Sequence, residues 1–264
     1  NILEKTVAVN IFQTDKVFQF PLTIDIVEEG KKISHQVFVK GKDGSFIFKY
    51  TKAPEVILVN ADGVLLADFT ETKSVKQYIS QLKYASYYGH KKEALLALVE
   101  HQDDKKAFNA IANAMSNPFY KIRILALEHI DLINKHLKNP VIDKIKKIAA
   151  TDPKTLVQAA AIETLGKLTD PEHAPIFNKA LKSKSYSVLG KALVATYYID
   201  KATAIALSKE LPDEVRKIIA TPLTRIFIEE KDDSELVFIA KNVLSGMFLN
   251  NNPKTQALYK KAYE

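Results

Sequence analysis

Cysteine is missing from all 264 residues. That removes disulfide staples, thiolate metal ligands and a cysteine nucleophile together. Glycine is scarce, at eight residues, and forms no Gly-x-Gly-x-x-Gly or Walker-type loop, so the chain offers no phosphate cradle. Nowhere do about eighteen apolar residues run without a charge, and no basic start leads into a short apolar core. The sequence therefore predicts neither a membrane-spanning helix nor a signal peptide in these residues. Arginine occurs only at Arg123, Arg216 and Arg225, the sole side chains with a planar fork for phosphate or guanine. None of these absences chooses between cytoplasm and periplasm, since both accommodate a cysteine-free chain.

What is present has the balance of an ordinary globular protein, 47% apolar and 26% charged, in a chain long enough for two domains. The formal charge of +7 is uneven: residues 1–73 carry 9 Lys+Arg against 10 Asp+Glu, leaving 29 against 21 for the remainder. A diffuse excess of lysine reads as a solvated surface before it reads as a recognition surface. The chain begins at Asn1 and not at a methionine, which predicts a preceding portion or a processed leader.

The first seventy residues alternate with period two. Val7, Val9 and Ile11, then Phe18, Phe20, Leu22, Ile24 and Ile26, place apolar side chains on one face of successive strands. After the turn Glu28-Glu29-Gly30-Lys31, the positions Ile33, His35, Val37 and Val39 resume the pattern. Lys42-Asp43-Gly44-Ser45 is a stronger hairpin signal, because Asp-Gly tolerates the positive φ angles of a type I′ turn. Phe46 and Phe48, Val56–Val59 and Val64-Leu65-Leu66 complete six or seven short strands, the signature of a small antiparallel β-sandwich over residues 1–72. Pro21 cannot donate a ladder bond, so the second strand is expected at an edge or at a bulge.

Past Thr72 the period becomes helical, and the chain repeats. Alanine recurs at 94, 126, 161 and 192, at intervals of 32, 35 and 31 residues. Each is followed by an aliphatic residue (Leu95, Leu127, Ile162, Leu193), and three positions further by Leu98, Ile130, Leu165 and Thr196. A small side chain at a constant place lets neighbouring helices approach, while the aliphatic pair fills the seam. Asn117-Pro118, Asp152-Pro153 and Asp170-Pro171 read as N-caps followed by proline at the first helical position. About five helix pairs and a cap follow, including single helices over 118–136, 213–229 and 234–248, the last ended by Asn250-Asn251-Asn252 with one more helix in the tail. Residues 73–264 are thus expected to form an α-α superhelix, a HEAT-like or ARM-like solenoid.

The residues that do chemistry are not grouped as chemistry requires. Two zinc-ligating histidines on a helix stand one turn apart beside a glutamate; His129 and His136, with Glu128 and Asp131 nearby, are seven apart, about 10 Å of rise. His90, His101 and His173 fall at expected helix ends, where a capping role is ordinary, and His35 shares a strand face with aliphatic residues. Glu28-Glu29, Asp103-Asp104, Glu229-Glu230 and Asp232-Asp233 sit in turns or at helix termini and read as caps or solvated charge. Lys144, Lys146 and Lys147, and Lys179, Lys182 and Lys184, read as solvated helix faces. Tyr84, Tyr87, Tyr88, Tyr197 and Tyr198 divide between core and interface. The sequence therefore nominates no catalytic, cofactor-binding or metal-ligating residue.

Three segments carry a resemblance: 18–24 (Phe-Gln-Phe-Pro-Leu-Thr-Ile), 53–63 (Ala-Pro-Glu-Val-Ile-Leu-Val-Asn-Ala-Asp-Gly), and 81–85 (Gln-Leu-Lys-Tyr-Ala) leading into Lys92-Glu93-Ala94-Leu95. They resemble the C-terminal half of zinc metallopeptidases of the aminopeptidase N type, bacterial members especially, best from Val7 to about Leu98. The resemblance implies a catalytic domain elsewhere in the same polypeptide. That domain would carry the His-Glu-x-x-His zinc helix, a downstream glutamate and a Gly-x-Met-Glu-Asn loop; all three are missing here, and methionine occurs only at Met115 and Met247. It implies a non-catalytic module that gates and walls the chamber for peptide substrates, with zinc held by the other domain. Two alternatives stand beside it: a free-standing HEAT-repeat scaffold for a protein partner, and a nucleic-acid-binding HEAT-like protein.

Overall fold

In a computed structural model, residues 2–244 and 253–263 are described. They form two compact units, Asn1–Asn117 with His129–His136, and Pro118–Glu128 with Leu137–Glu264. The fold class is the expected one: a small antiparallel β-sandwich followed by HEAT-like paired helices.

The first unit opens with five strands, β1 (Thr6–Phe12), β2 (Phe20–Glu28), β3 (Lys31–Val39), β4 (Asp43–Lys49) and β5 (Val56–Val59). They make two antiparallel sheets, β1-β4 and β3-β2-β5. The alternating apolar positions meet between the sheets, with Val9, Leu22, Ile24, Ile26, Val39, Phe48 and Val59 in one core. Residues 17–19 and 64–66, read as strand from their composition, lie outside the ladders.

Two local expectations are corrected by the topology. Asp43 and Gly44 are not a hairpin turn; they lie within β4, opposite Phe12 and Ile11, because β3 and β4 belong to different sheets and the chain crosses between them. The tight hairpin is at Glu29 and Gly30, both at positive φ (46° and 76°) between the paired Glu28 and Lys31, as a type I′ turn requires. The strand carrying Pro21 is central, not an edge. Ala61 and Glu55 donate to the carbonyls of Thr23 and Val27, so the odd positions of β2 face β5. The β5 ladder reaches only Ile24 to Val27, and the nitrogen of Pro21 points past its end.

The other face of β2 is covered as well. Val27, Val56, Leu58 and Ala61 pack with Ala85 and Tyr84 in a second cluster. Burial on both faces draws two carboxylates out of water, and each is matched: Ser34 Oγ donates to Asp25 at 2.5 Å, and the backbone N–H groups of Thr51 and Lys52 donate to Glu28 at 3.0 and 3.1 Å.

Helices α1 (Val75–Tyr84), α2 (Tyr88–Val99) and α3 (Lys105–Ala114) complete the first unit, together with a short segment after α4 (Tyr120–His129). Ser74 and Gln77 form a reciprocal capping box at the start of α1. At its end, Lys91 Nζ donates to the orphan carbonyls of Leu82 and Lys83 at 2.7 and 3.3 Å. The second unit holds most of α4, then α5 (Asn139–Thr151), α6 (Thr155–Gly166), α7 (Ala174–Ala180), α8 (Tyr186–Ile199), α9 (Lys201–Glu210), α10 (Asp213–Ile218), α11 (Ala220–Glu230), α12 (Leu236–Ile239) and α13 (Pro253–Tyr263).

The repeat register is a burial register. Ala94, Ala126, Ala161 and Ala192, on α2, α4, α6 and α8, have no exposed surface, nor have Leu95, Leu127, Ile162 and Leu193 behind them. Close approach is visible where α6 meets α8: a Cβ added at Gly166 would stand 2.8 Å from the Cβ of Ala195. Helix ends differ from expectation. Asn117-Pro118 and Asp152-Pro153 stand just ahead of α4 and α6; Asp152 instead accepts from the N–H of Lys154 at 2.9 Å and from Arg123. The helix expected to reach residue 136 stops at His129, after which Gln102 organises the turn, receiving the N–H of Asp131 at 2.8 Å and donating to the carbonyl of His129 at 3.0 Å. The helix expected over 213–229 breaks at Ile219, because Pro222 has no N–H for the carbonyl of Ile218. After a 3-10 turn at Asp233–Glu235, α12 passes into a π-helical turn at Ala240–Leu244. The stop at Asn250-Asn251-Asn252 lies outside the described residues. No described helix is long and apolar enough to cross a membrane.

Candidate functional site

The six histidines are dispersed, and among the described residues no three His, Asp or Glu side chains converge as a metal ion would need. His129 ends α4 and His136 lies beyond it, so the two do not share a helix; His136 Nε2 meets the carbonyl of Asp103 at 3.0 Å. His35 is half-buried against the ring of Phe48, centroids 4.6 Å apart. The acid pairs act locally: Asp104 caps α3 through the N–H of Lys106, Asp232 receives Ser234 and Lys209, and Glu230 receives Lys201 at 2.9 Å and the hydroxyl of Tyr197.

All three arginines are engaged inside the chain. Arg123 grips Asp152 with two parallel bonds of 2.9 Å, Arg216 pairs with Glu235, and Arg225 donates to the hydroxyl of Tyr198. Of the tyrosines, Tyr197 is buried and Tyr87 exposed, with Tyr84, Tyr88 and Tyr198 between.

The residues that carry the family resemblance turn out to clamp the sandwich to α1 and α2. His90 Nε2 donates to the carbonyl of Asn60 at 3.0 Å, and the fully buried Gln81 donates to the carbonyl of His90 at 3.0 Å and to Glu93 at 2.8 Å. The Glu93 carboxylate, 3.6 Å from His90 Nδ1, raises the pKa of His90 against the opposing effect of burial; in return His90, chiefly, lowers that of Glu93. Asn60 closes the turn by bonding both N–H and carbonyl of Leu65. The cluster is an electrostatic latch and presents no reacting pair.

The feature of the first unit that is not absorbed internally is apolar. Nineteen large apolar side chains are exposed among the described residues, and eleven of them lie in residues 1–72, although that stretch is little more than a quarter of the chain. Phe12 ends β1 and Val17 and Phe18 lie just ahead of β2, with Phe12 71% and Phe18 61% exposed. The backbone between β1 and β2 is tied: Gln13 donates to the carbonyls of Phe18 and Gly41 at 2.9 and 2.8 Å and accepts from the N–H of Phe18 at 2.9 Å. Ile47, 71% exposed, adds to the outer face of the β1-β4 sheet opposite Ala8. Exposed apolar side chains of this size, grouped along the chain, stand apart from the polar surface around them.

Comparison with known proteins adds a match over part of the helical region. Residues 108–197 match the family described as HEAT repeats. The matched stretch runs from within α3 to near the end of α8 and contains three of the four buried repeat alanines. No curated protein matches the chain. Among solved structures it is similar to Legionella pneumophila aminopeptidase A in complex with aspartic acid, at 11% identity and a TM-score of 0.49, over 98% of this chain and 34% of that one. The chain spans about a third of that protein's length. At so low a TM-score the likeness carries no argument about activity.

His173 is the residue whose role the sequence misjudged. It was expected to be a satisfied helix-end histidine; it ends the 3-10 turn Pro171–His173, yet neither ring nitrogen has a hydrogen-bond partner, and the side chain is only 2% exposed. Sequence carries no signal for this, because burial there depends on α5, which begins 34 residues earlier.

Proposed function

We propose that the chain is the non-catalytic C-terminal module of a zinc aminopeptidase, gating and walling the peptide chamber of a separate catalytic domain. The observation that carries the proposal is the set of exposed apolar side chains flanking the tied β1–β2 connection, Phe12, Val17 and Phe18, which would serve as the docking surface for that domain. The local resemblance of residues 18–24, 53–63 and 81–95 to the aminopeptidase N type supports the identity of the partner. The HEAT repeats supply the wall. No zinc site is assigned to this chain, since the histidine spacings do not fit one, and no step of peptide hydrolysis is routed through its residues.

The test is to mix the 264-residue chain with the zinc peptidase domain of its own polypeptide, produced separately. The expected result is a one-to-one complex, weakened roughly a thousandfold by Phe12→Glu with Phe18→Glu, since each buried phenylalanine contributes about 2 kcal/mol. The chain alone is expected to bind no stoichiometric zinc and to release no product from aminoacyl p-nitroanilides. Robust activity of the pure chain, or a reading frame with no zinc peptidase domain upstream, overturns the proposal.

A free-standing scaffold for a protein partner is the second reading, favoured by the HEAT match itself. It predicts that the docking residues capture a partner that is not a peptidase. Nucleic-acid binding has no comparable observation behind it, because each arginine is committed to a partner within the chain.

A further inference from the structure

The second unit contains a cleft of about 410 Å³ whose lining differs in character from the rest of the protein. Leu137, Ile142 and Leu168 give it an apolar part; Asp143, Lys146, Asp170, Glu172 and His173, with Asn139, give it a polar one. Three carboxylates against one ammonium leave the lining two charges negative, in a chain whose net charge is +7. The acidic groups are only partly used. Asp170 spends one oxygen on the N–H of Glu172 at 2.9 Å, and Asp143 lies 4.0 Å from Lys146, at the limit of an ion pair.

His173 is the second, independent observation. A buried imidazole without a partner on either nitrogen is a rarity in folded proteins, because each unmatched polar atom costs about 1–3 kcal/mol of desolvation. Phe177, edge-on at 6.3 Å between centroids, gives the ring a packing neighbour but no hydrogen bond. Burial, reinforced by Lys146, pushes the pKa of His173 down against the pull of Asp170 and Glu172, so the ring is neutral at pH 7. A neutral imidazole has one bare nitrogen, which accepts a hydrogen bond. What fits is a group that donates, carries positive charge and brings an aliphatic stem.

We propose that this cleft binds a primary ammonium group on a short aliphatic chain: the ammonium donates to His173 and to the carboxylates of Asp170 and Glu172, and the stem lies against Leu137, Ile142 and Leu168. The site belongs wholly to the second unit and does not rest on the docking role proposed for the first.

The probe is butylammonium, with 1-butanol as its neutral isostere and ammonium chloride as the cation without a stem, titrated at pH 7.5 into the full chain labelled with 15N-histidine. The expected result is a saturable shift of the His173 ring resonance with butylammonium, at an affinity roughly tenfold or more above that of either control. Glu172→Gln, at a solvent-exposed position, is expected to weaken binding roughly tenfold while leaving the His173 resonance in the free protein in place. His173→Leu, read by isothermal titration calorimetry because it lacks the reporting ring, is expected to give no saturable heat with butylammonium while its circular dichroism stays unchanged; saturable binding as tight as in the unsubstituted chain would overturn the role of His173. Equal affinity for 1-butanol would reduce the cleft to an apolar hollow and overturn the proposal. Equal affinity for ammonium chloride, or no saturable shift at all, would overturn it as well.

Discussion

The Arg123–Asp152 pair gives the most demanding test of the helical unit. Arg123 lies on α4 and Asp152 in the turn between α5 and α6; the guanidinium donates through Nε and Nη2 to the two carboxylate oxygens, each at 2.9 Å, and through Nη1 to the carbonyl of Pro118 at 3.1 Å. Their side chains are 11% and 7% exposed. Exposed ion pairs contribute about 0.2–1 kcal/mol, whereas breaking a buried one costs about 3–5 kcal/mol by stranding the survivor. At a tenth exposed, Arg123→Met or Asp152→Asn should each cost about 2–4 kcal/mol. Asparagine retains the acceptor that Asp152 offers to the N–H of Lys154, so the Asp152→Asn loss isolates the charge. The double variant strands no ion, and its loss should fall short of the sum of the singles by about 1.5–3 kcal/mol. In urea unfolding followed by circular dichroism this appears as a midpoint shift, and in thermal melts as about 6–12 °C for a single variant near 3 kcal/mol. Losses that add to within about 0.5 kcal/mol would refute the claim that the pair acts as a unit.

Three further outcomes are expected. Thr164 is buried and its hydroxyl meets the carbonyls of both Leu127 and Ala160 at 2.8 Å, so Thr164→Val should cost about 1–2 kcal/mol and Thr164→Ser appreciably less, measured by urea denaturation. Gly63 has φ of +68°, and a Cβ there would come within 2.7 Å of the Tyr87 ring; Gly63→Ala should cost about 1–3 kcal/mol, with an unchanged melt counting against the turn geometry. Two histidines should bend the stability–pH curve in opposite senses. The folded pKa of His90 is raised by Glu93, so its contribution is full below about pH 6.5 and lost as pH rises through the folded value; His90→Gln should flatten that alkaline loss. The folded pKa of His173 is lowered by burial, so below about pH 6.5 the unfolded chain takes up a proton that the folded chain refuses, and stability falls; His173→Leu should flatten that acid loss. Variants whose urea midpoints still follow the pH curve of the unsubstituted protein from pH 5 to 9 would refute both assignments.

Much of the fold was legible wherever a local rule had no competitor. The alternation from Leu22 to Ile26 named the sandwich core, and the alanine register at 94, 126, 161 and 192 named four buried seams before any contact was known. The errors came where a non-local neighbour decided. Asp43-Gly44 has turn chemistry, yet β1 pairs with β4 and draws both residues into a ladder. Pro21 reads as an edge signal, yet the short reach of β5 lets it sit in a central strand. In the long helix expected over 213–229, by contrast, Pro222 was a local signal capable of marking the break at Ile219.

The sequence by itself determined the class of the protein: no thiol, no phosphate loop, no paired metal ligands, strands of period two followed by helices with a repeat near 33 residues. These follow from residue type and spacing along one chain, which is all that local geometry needs. Only the tertiary structure decided which groups are left over. Phe18 alternates like a core residue but lies exposed ahead of β2, and His173 looks like a helix cap but loses every partner when α5 and the 3-10 turn enclose it. Exposure and unmet hydrogen bonds are sums over distant neighbours, and a linear pattern does not contain them.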